Sequence, residues 1–303
     1  MSYSVISTEN NGTKITSKKP GLPVRSTPKW EQAETVVMHD RRKMLDVIKG
    51  KLPIGLMPFE IITEEERMAL VAALQGMQIK KYDNTSETEK VSVHGLTFVD
   101  SPTLNEYLLA ENDEAFEQLT QPLLERVINI FTGHGFDVKP LVDPDTLLPY
   151  HAKVCRQISI PEDCYTETGN NCTVLHCDDV LRDGHSKKDF RIPEGLEGMQ
   201  YNQVSVCIQL ENGGYRPDDI IVHEKQYSSE MEPDFYGDGG WRYDGEKLKG
   251  CRSHAYTPEL RKCYMFSTLN FHDVRGGHRL SQRINFSVFF IHVPGTNTLY
   301  YYN

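Results

Sequence analysis

The stretch NCTVLHCDDVL, residues 171–181, closes a β-branched run with a His and an Asp one residue apart. Side chains at i and i+2 of a strand point to the same face, so His176 and Asp178 would aim together at one side of a sheet. The pair alone has two readings. It is half of a metal site, or a core histidine beside a turn that Asp178 and Asp179 start.

The far end of the chain separates these readings. STLNFHDVRGGHRLSQRINFSVFF, residues 267–290, places His272 near the end of one strand and follows it with a Gly-rich turn. The next strand would carry Arg279, Ser281, Arg283 and Asn285 on one face. Two imidazoles and one carboxylate occupy one face of a non-haem Fe(II) ion and leave its other positions open. Guanidiniums inside a strand-rich core need an anion, and the arginine fork matches a carboxylate bidentately, which suits a dicarboxylate cosubstrate.

The chain that must position these groups has 303 residues, 38% hydrophobic and 25% charged, with a net charge of −10. That size supports a substantial core. The acidic balance argues against nucleic acid or an anionic membrane as partner, and no apolar run approaches the roughly 18 residues of a membrane span. The first residues, MSYSVISTENNGTKITSKK, show no apolar signal region, so a cytoplasmic protein is expected. Seven cysteines without a C-x-x-C motif read as reduced thiols.

Along the chain, residues 1–28 read as a flexible N-terminal arm, and 29–303 as one catalytic domain. Within it, 29–140 is a helical support region. Helices are expected over about 31–48, after the capping box Thr63/Glu66, and over about 114–131, where Pro122 kinks or divides the last one. From about 141 the character changes to short β-rich runs between Gly, Pro and Asp. The fold class is therefore mainly β with flanking helices, a sandwich or barrel. Residues 226–262 are polar with interspersed aromatics and read as a lid loop.

The pattern H-x-D, a second His and then an Arg about ten residues on resembles the Fe(II)/2-oxoglutarate-dependent oxygenases, over roughly residues 150–295. The resemblance implies a double-stranded β-helix core (jelly-roll, cupin-like), iron held by His176, Asp178 and His272, and 2-oxoglutarate and O2 as cosubstrates. The tail of 2-oxoglutarate would meet Arg283, eleven residues after His272 and followed by INFSVFF, in preference to Arg279. Arg279 with Ser281 matches the family's R-x-S but lies only seven residues after His272, whereas Asn285 stands where Arg283 would need its Ser. LENGGYRPDDIIVHEKQY, residues 210–227, is similar to the middle of the family's small-molecule branch. The layout also resembles oxygenases of secondary metabolism, including those that close kainoid rings. Asp178 fills the position that related halogenases leave small, so C–H activation leading to hydroxylation, desaturation or ring closure is implied, and halogenation is not.

On the substrate side, Val154, Arg156, Ile158 and Ile160 alternate onto one face. Three of the four are apolar, so Arg156 is expected to point inward and meet a substrate carboxylate or an internal partner. Gln203 and Ser205 would point inward too, and Trp241 and Tyr243 are the expected lid contacts with a small-molecule substrate. His278 is a competing choice for the second His but falls in or just after the Gly-Gly turn, His254 lies in the polar loop, and His151, His223 and His292 are read as structural. Two other classes stay open: a zinc-dependent jelly-roll hydrolase or isomerase, and a cupin-like module that binds without catalysis.

Overall fold

The computed structural model describes residues 4–9, 12–17, 27–77, 80–81, 90–97, 101, 103–159, 171–179, 201–212, 219–227, 234–235, 241–242, 245–275 and 282–302. The first half contains β1 (Ser4–Glu9), β2 (Gly12–Ser17), β3 (Thr35–Val37), α1 (Arg41–Ile48), β4 (Ile54–Glu60), α2 (Glu64–Gly76), β5 (Lys80–Lys81), β6 (Lys90–His94), α3 (Leu104–Leu109), α4 (Glu114–Gly133) and β7 (Asp137–Pro140). Eight strands then build the core: β8 (Val154–Ser159), β9 (Asn171–His176), β10 (Asn202–Asn212), β11 (Asp219–Gln226), β14 (Ser253–Tyr256), β15 (Lys262–Ser267), β16 (Asn270–Arg275) and β17 (Gln282–His292). The short pair β12 (Asp234–Phe235) and β13 (Trp241–Arg242) lies between β11 and β14, and β18 (Thr298–Tyr302) ends the chain.

The eight core strands interleave. One sheet runs β8-β17-β10-β15, the first, eighth, third and sixth of the set, and the other runs β9-β16-β11-β14, the second, seventh, fourth and fifth. All these pairings are antiparallel. Apart from the fourth and fifth, which pair with each other in the smaller sheet, consecutive strands alternate between two facing sheets, which is the double-stranded β-helix, or jelly-roll. β4 and β3 extend the larger sheet beyond β15, and β6 and β5 extend it beyond β8.

The two faces of the larger sheet differ in chemistry. Val204, Val206, Ile208, Leu210, Met265, Ile284, Phe286, Val288 and Phe290 form one apolar cluster with α1, α2 and α4. Phe290 meets Phe131 of α4 at a ring separation of 4.9 Å. The opposite face looks into the barrel, where Cys207, Tyr264 and Phe266 pack with Ile220, Val222, Tyr256 and Val274 of the smaller sheet. A strand has only two faces. With the even-numbered positions of β10 and β17 committed to the helices, their odd-numbered positions must line the interior.

Several expectations are corrected at this level. Within residues 1–28, read as an arm, the described residues form the antiparallel pair β1–β2, with Ile6 opposite Ile15. The helix expected from residue 31 begins only at Arg41, because Asp40 caps it by accepting the Lys43 amide proton at 2.9 Å. Val36 and Val37 instead alternate buried and exposed on β3. The helical support region thus also supplies strands to the larger sheet. Pro122 neither ends nor divides α4. The span 226–262 is not all lid, because β14 is a core strand paired with β11. Leu248, in the short 3-10 helix Gly245–Leu248, packs with Cys177, Tyr227 and Phe271 behind the smaller sheet. The capping box is present as read, with reciprocal Thr63–Glu66 bonds of 3.2 and 2.8 Å. Cys155, Cys177, Cys207, Cys251 and Cys263 are free thiols. Among the described residues no helix is long and apolar enough to cross a membrane.

Candidate metal centre

β9 and β16 are neighbours in the smaller sheet, and their register sets His176 directly opposite His272. His272 is also opposite Val222, whose side chain belongs to the interior cluster, so both imidazoles face into the barrel. Their ring centroids are 4.2 Å apart. Asp178, two residues past His176, brings its Oδ2 to 3.5 Å from His272 Nε2. One donor atom from each of the three residues lies within 4.8 Å of the others. Donors around one small cation stand roughly 3 to 4 Å apart, so the set fits a divalent ion with little adjustment.

The donor atoms are oriented for this. A carbonyl oxygen only accepts, so the 2.9 Å contact between His272 Nδ1 and the Asn270 carbonyl places a proton on Nδ1 and turns Nε2 toward the site. Asp178 is held by its backbone. Its amide donates to the Thr268 carbonyl at 2.9 Å, and its carbonyl accepts from Thr268 Oγ1 at 3.1 Å and Gln203 Nε2 at 3.2 Å. Asp179 is buried and accepts from the Tyr201 hydroxyl, so the two neighbouring carboxylates serve different purposes. Burial alone would raise the pKa of the Asp178 carboxyl. Its contacts with His272, His176 and Arg156 outweigh this and hold the group well below the usual carboxylate range. It is a ready anionic ligand.

The interior face of the larger sheet carries the expected basic groups. Arg283 is 3% exposed and donates to the Tyr264 hydroxyl at 3.2 Å. Arg156 lies on the neighbouring strand, opposite Asn285, while Arg283 is opposite Ile158, which offsets the two guanidiniums by two residues. Arg156 donates to Ser287 Oγ and sits 5.5 Å from the centre of the Phe289 ring. Gln203 and Ser205 are buried on the same face. Gln203 binds the Asp178 carbonyl, and Ser205 Oγ contacts Cys207 Sγ at 3.3 Å.

Four other histidines within the described residues have local partners. His223 contacts Asp273 at 3.2 Å, His151 the Tyr107 carbonyl at 2.9 Å, His254 the Thr35 hydroxyl at 2.8 Å, and His292 the Thr296 carbonyl at 3.3 Å. Asp273 adjoins His272 in sequence but projects from the opposite face of β16, which keeps it out of the donor set. Arg279, Ser281, His278 and Tyr243 lie outside the described residues. Trp241 begins β13, which lies alongside β9, the strand that carries His176. Sequence reasoning missed Tyr264, Ser287, Thr268 and Asn270. For Ser287 the period-2 alternation from Arg283 was an available signal. For the other three nothing local to the sequence marks the contact.

No protein-family model matches the sequence, and no curated protein matches it. Solved structures are similar. An N-substituted L-amino acid dioxygenase from Burkholderia ambifaria aligns over 86% of this chain and 91% of its own, at 14% identity and a TM-score of 0.49. A 2OG-Fe(II) oxygenase-family oxidoreductase from Burkholderia pseudomallei covers 86% and 96%, at 15% identity and a TM-score of 0.44. EvdO2 from Micromonospora carbonacea covers 86% and 93%, at 11% identity and a TM-score of 0.47. At this level of likeness the chemistry rests on the chain's own residues.

Proposed function

We propose that the protein is an Fe(II)- and 2-oxoglutarate-dependent oxygenase that activates a C–H bond of a small, carboxylate-bearing molecule. The observation that carries this reading is the His176–Asp178–His272 donor set inside a jelly-roll whose facing wall carries a buried Arg283. Iron, 2-oxoglutarate and O2, when bound, supply the oxidising chemistry.

The residues of this chain bind, orient and exclude water. His176, Asp178 and His272 would hold the metal and leave room on it for cosubstrates. Arg283, with the Tyr264 hydroxyl beside it, receives the distal carboxylate of 2-oxoglutarate. Its burial makes each charge-assisted hydrogen bond stronger than it would be in water. Arg156 lies near enough to Asp178 to stabilise its charge, and holds the substrate carboxylate. Ser287 and Phe289 fix the direction of that guanidinium. Gln203 keeps the Asp178 backbone in place, and Ser205 lines the same wall. Trp241 and Tyr243 are the proposed contacts with the apolar part of the substrate. Hydroxylation, desaturation and ring closure differ in the fate of the substrate radical, and the placement of the substrate carbon decides among them.

The test is anaerobic titration of purified protein with Fe(II) and 2-oxoglutarate, following the visible metal-to-ligand charge-transfer band. The band should appear, and should be lost in His176→Ala and His272→Ala. Succinate should form once oxygen is admitted. Retention of zinc with neither band nor succinate would move the protein to the hydrolase or binding-module reading.

A further inference from the structure

Asn270, the first residue of β16, is 1% exposed. Its carbonyl accepts the proton of His272 Nδ1 at 2.9 Å. Its side chain makes three more hydrogen bonds. Nδ2 donates to the carbonyls of His223 at 2.7 Å and Glu224 at 3.1 Å, and Oδ1 accepts from Gln226 Nε2 at 3.1 Å. The reason lies in the neighbouring strand. Val222 pairs with His272 and Gln226 with Asn270, so β11 uses four residues where β16 uses two. Such a bulge breaks the ladder, and here the carboxamide of Asn270 takes up two of the β11 carbonyls.

The pair is also closed from the other side. Gly50 follows α1 at φ +69°, and a Cβ there would lie 2.6 Å from Gln226 Nε2 and 2.8 Å from Asn270 Oδ1. Both the positive φ and the close approach require glycine. The turn after α1 therefore presses on the Gln226–Asn270 amides and keeps water from them.

We propose that Asn270 is a positioning residue for the metal. Its side chain, locked by the β11 bulge, Gln226 and Gly50, fixes the carbonyl that sets the ring orientation of His272. The inference rests on the metal-binding reading of the site. Removing the carboxamide frees the start of β16 to move, and the His272 ring loses its fixed acceptor. The carbonyl remains in Asn270→Ala but is no longer held in place, and disturbing such an outer hydrogen bond weakens metal affinity by up to about 10- to 100-fold.

The experiment is calorimetric titration of the metal-free full-length chain with Co(II), without cosubstrate, together with the visible ligand-field spectrum of the Co(II) form. Asn270→Ala should raise the Co(II) Kd by about 10- to 100-fold and change the ligand-field bands. Gln226→Ala and Gly50→Ala, which disturb only the lock, should move both readouts the same way by less. Phe290→Ala, on the helix-facing side of the larger sheet, controls for general destabilisation and should leave Kd and spectrum as in the wild type. A folded Asn270→Ala protein with wild-type Kd and spectrum would overturn the proposal. If that variant does not fold, unchanged values in both Gln226→Ala and Gly50→Ala overturn it instead. No Co(II) binding by the wild type would sink the metal reading itself, which is a different result.

Discussion

Replacing Arg283 by Ala tests how the cosubstrate is held. The guanidinium is buried on the interior wall, where it donates to the Tyr264 hydroxyl. A bidentate contact with a carboxylate comprises two charge-assisted hydrogen bonds, each contributing about 1.5–3 kcal/mol. Water entering the space left by the side chain and the surviving Tyr264 hydroxyl recover part of this. A net loss of about 3–4 kcal/mol remains, and at about 1.4 kcal/mol per tenfold it corresponds to a 2-oxoglutarate KM raised about 10²- to 10³-fold. Arg283→Lys keeps a charge but loses the fork, and should raise KM by about 10- to 100-fold. The assay is the initial rate of succinate formation against 2-oxoglutarate, paired with the charge-transfer titration, which reports Kd without turnover. The KM for substrate at saturating 2-oxoglutarate should be nearly unchanged, since uniform binding of only one reactant is removed. A rise of less than tenfold in Arg283→Ala would refute the reasoning. So would a larger effect on 2-oxoglutarate from Arg156→Ala or Arg279→Ala.

Other perturbations probe the remaining parts. Arg156→Ala should raise the KM for substrate while leaving the charge-transfer titration with 2-oxoglutarate near its wild-type midpoint. Asp178→Ala should abolish succinate formation and the charge-transfer band, and added halide can be tested as a replacement ligand by its effect on the Co(II) spectrum. Phe290→Ala, which removes a fully buried ring from the contact with Phe131, should cost about 3–5 kcal/mol in urea unfolding. Glu66 ionises at about 2, lowered first by its hydrogen bond with Arg126 and then by the Thr63 amide. Its folded value is below the ordinary 4.5, so its contribution is fully present above 4.5 and is lost as pH falls toward 2. Glu66→Gln should flatten the stability profile across that window, as measured by urea midpoints at successive pH values.

Several features of this protein are decided within a few residues and are visible in the sequence. His176 and Asp178 share a face because a strand repeats every two residues, whatever it packs against. The start of α2 follows from Thr63 and Glu66 alone, and the inward aim of Arg156 from the apolar residues that alternate with it. Other features depend on which strands meet. That His272 lies opposite His176 is a matter of register between segments nearly a hundred residues apart. β14 looked like part of a polar loop because its membership of the core comes from pairing with β11, not from its own composition. The strands of the first half, read as a helical support, became sheet because β15 and β8 offered open edges to β4 and β6. Asn270 is the clearest case. An asparagine at the head of a strand carries no local mark of importance, and its role exists only because β11 bulges beside it and Gly50 closes over the pair. Local geometry chose which side chains could serve as ligands, and long-range register decided where they meet and what holds them still.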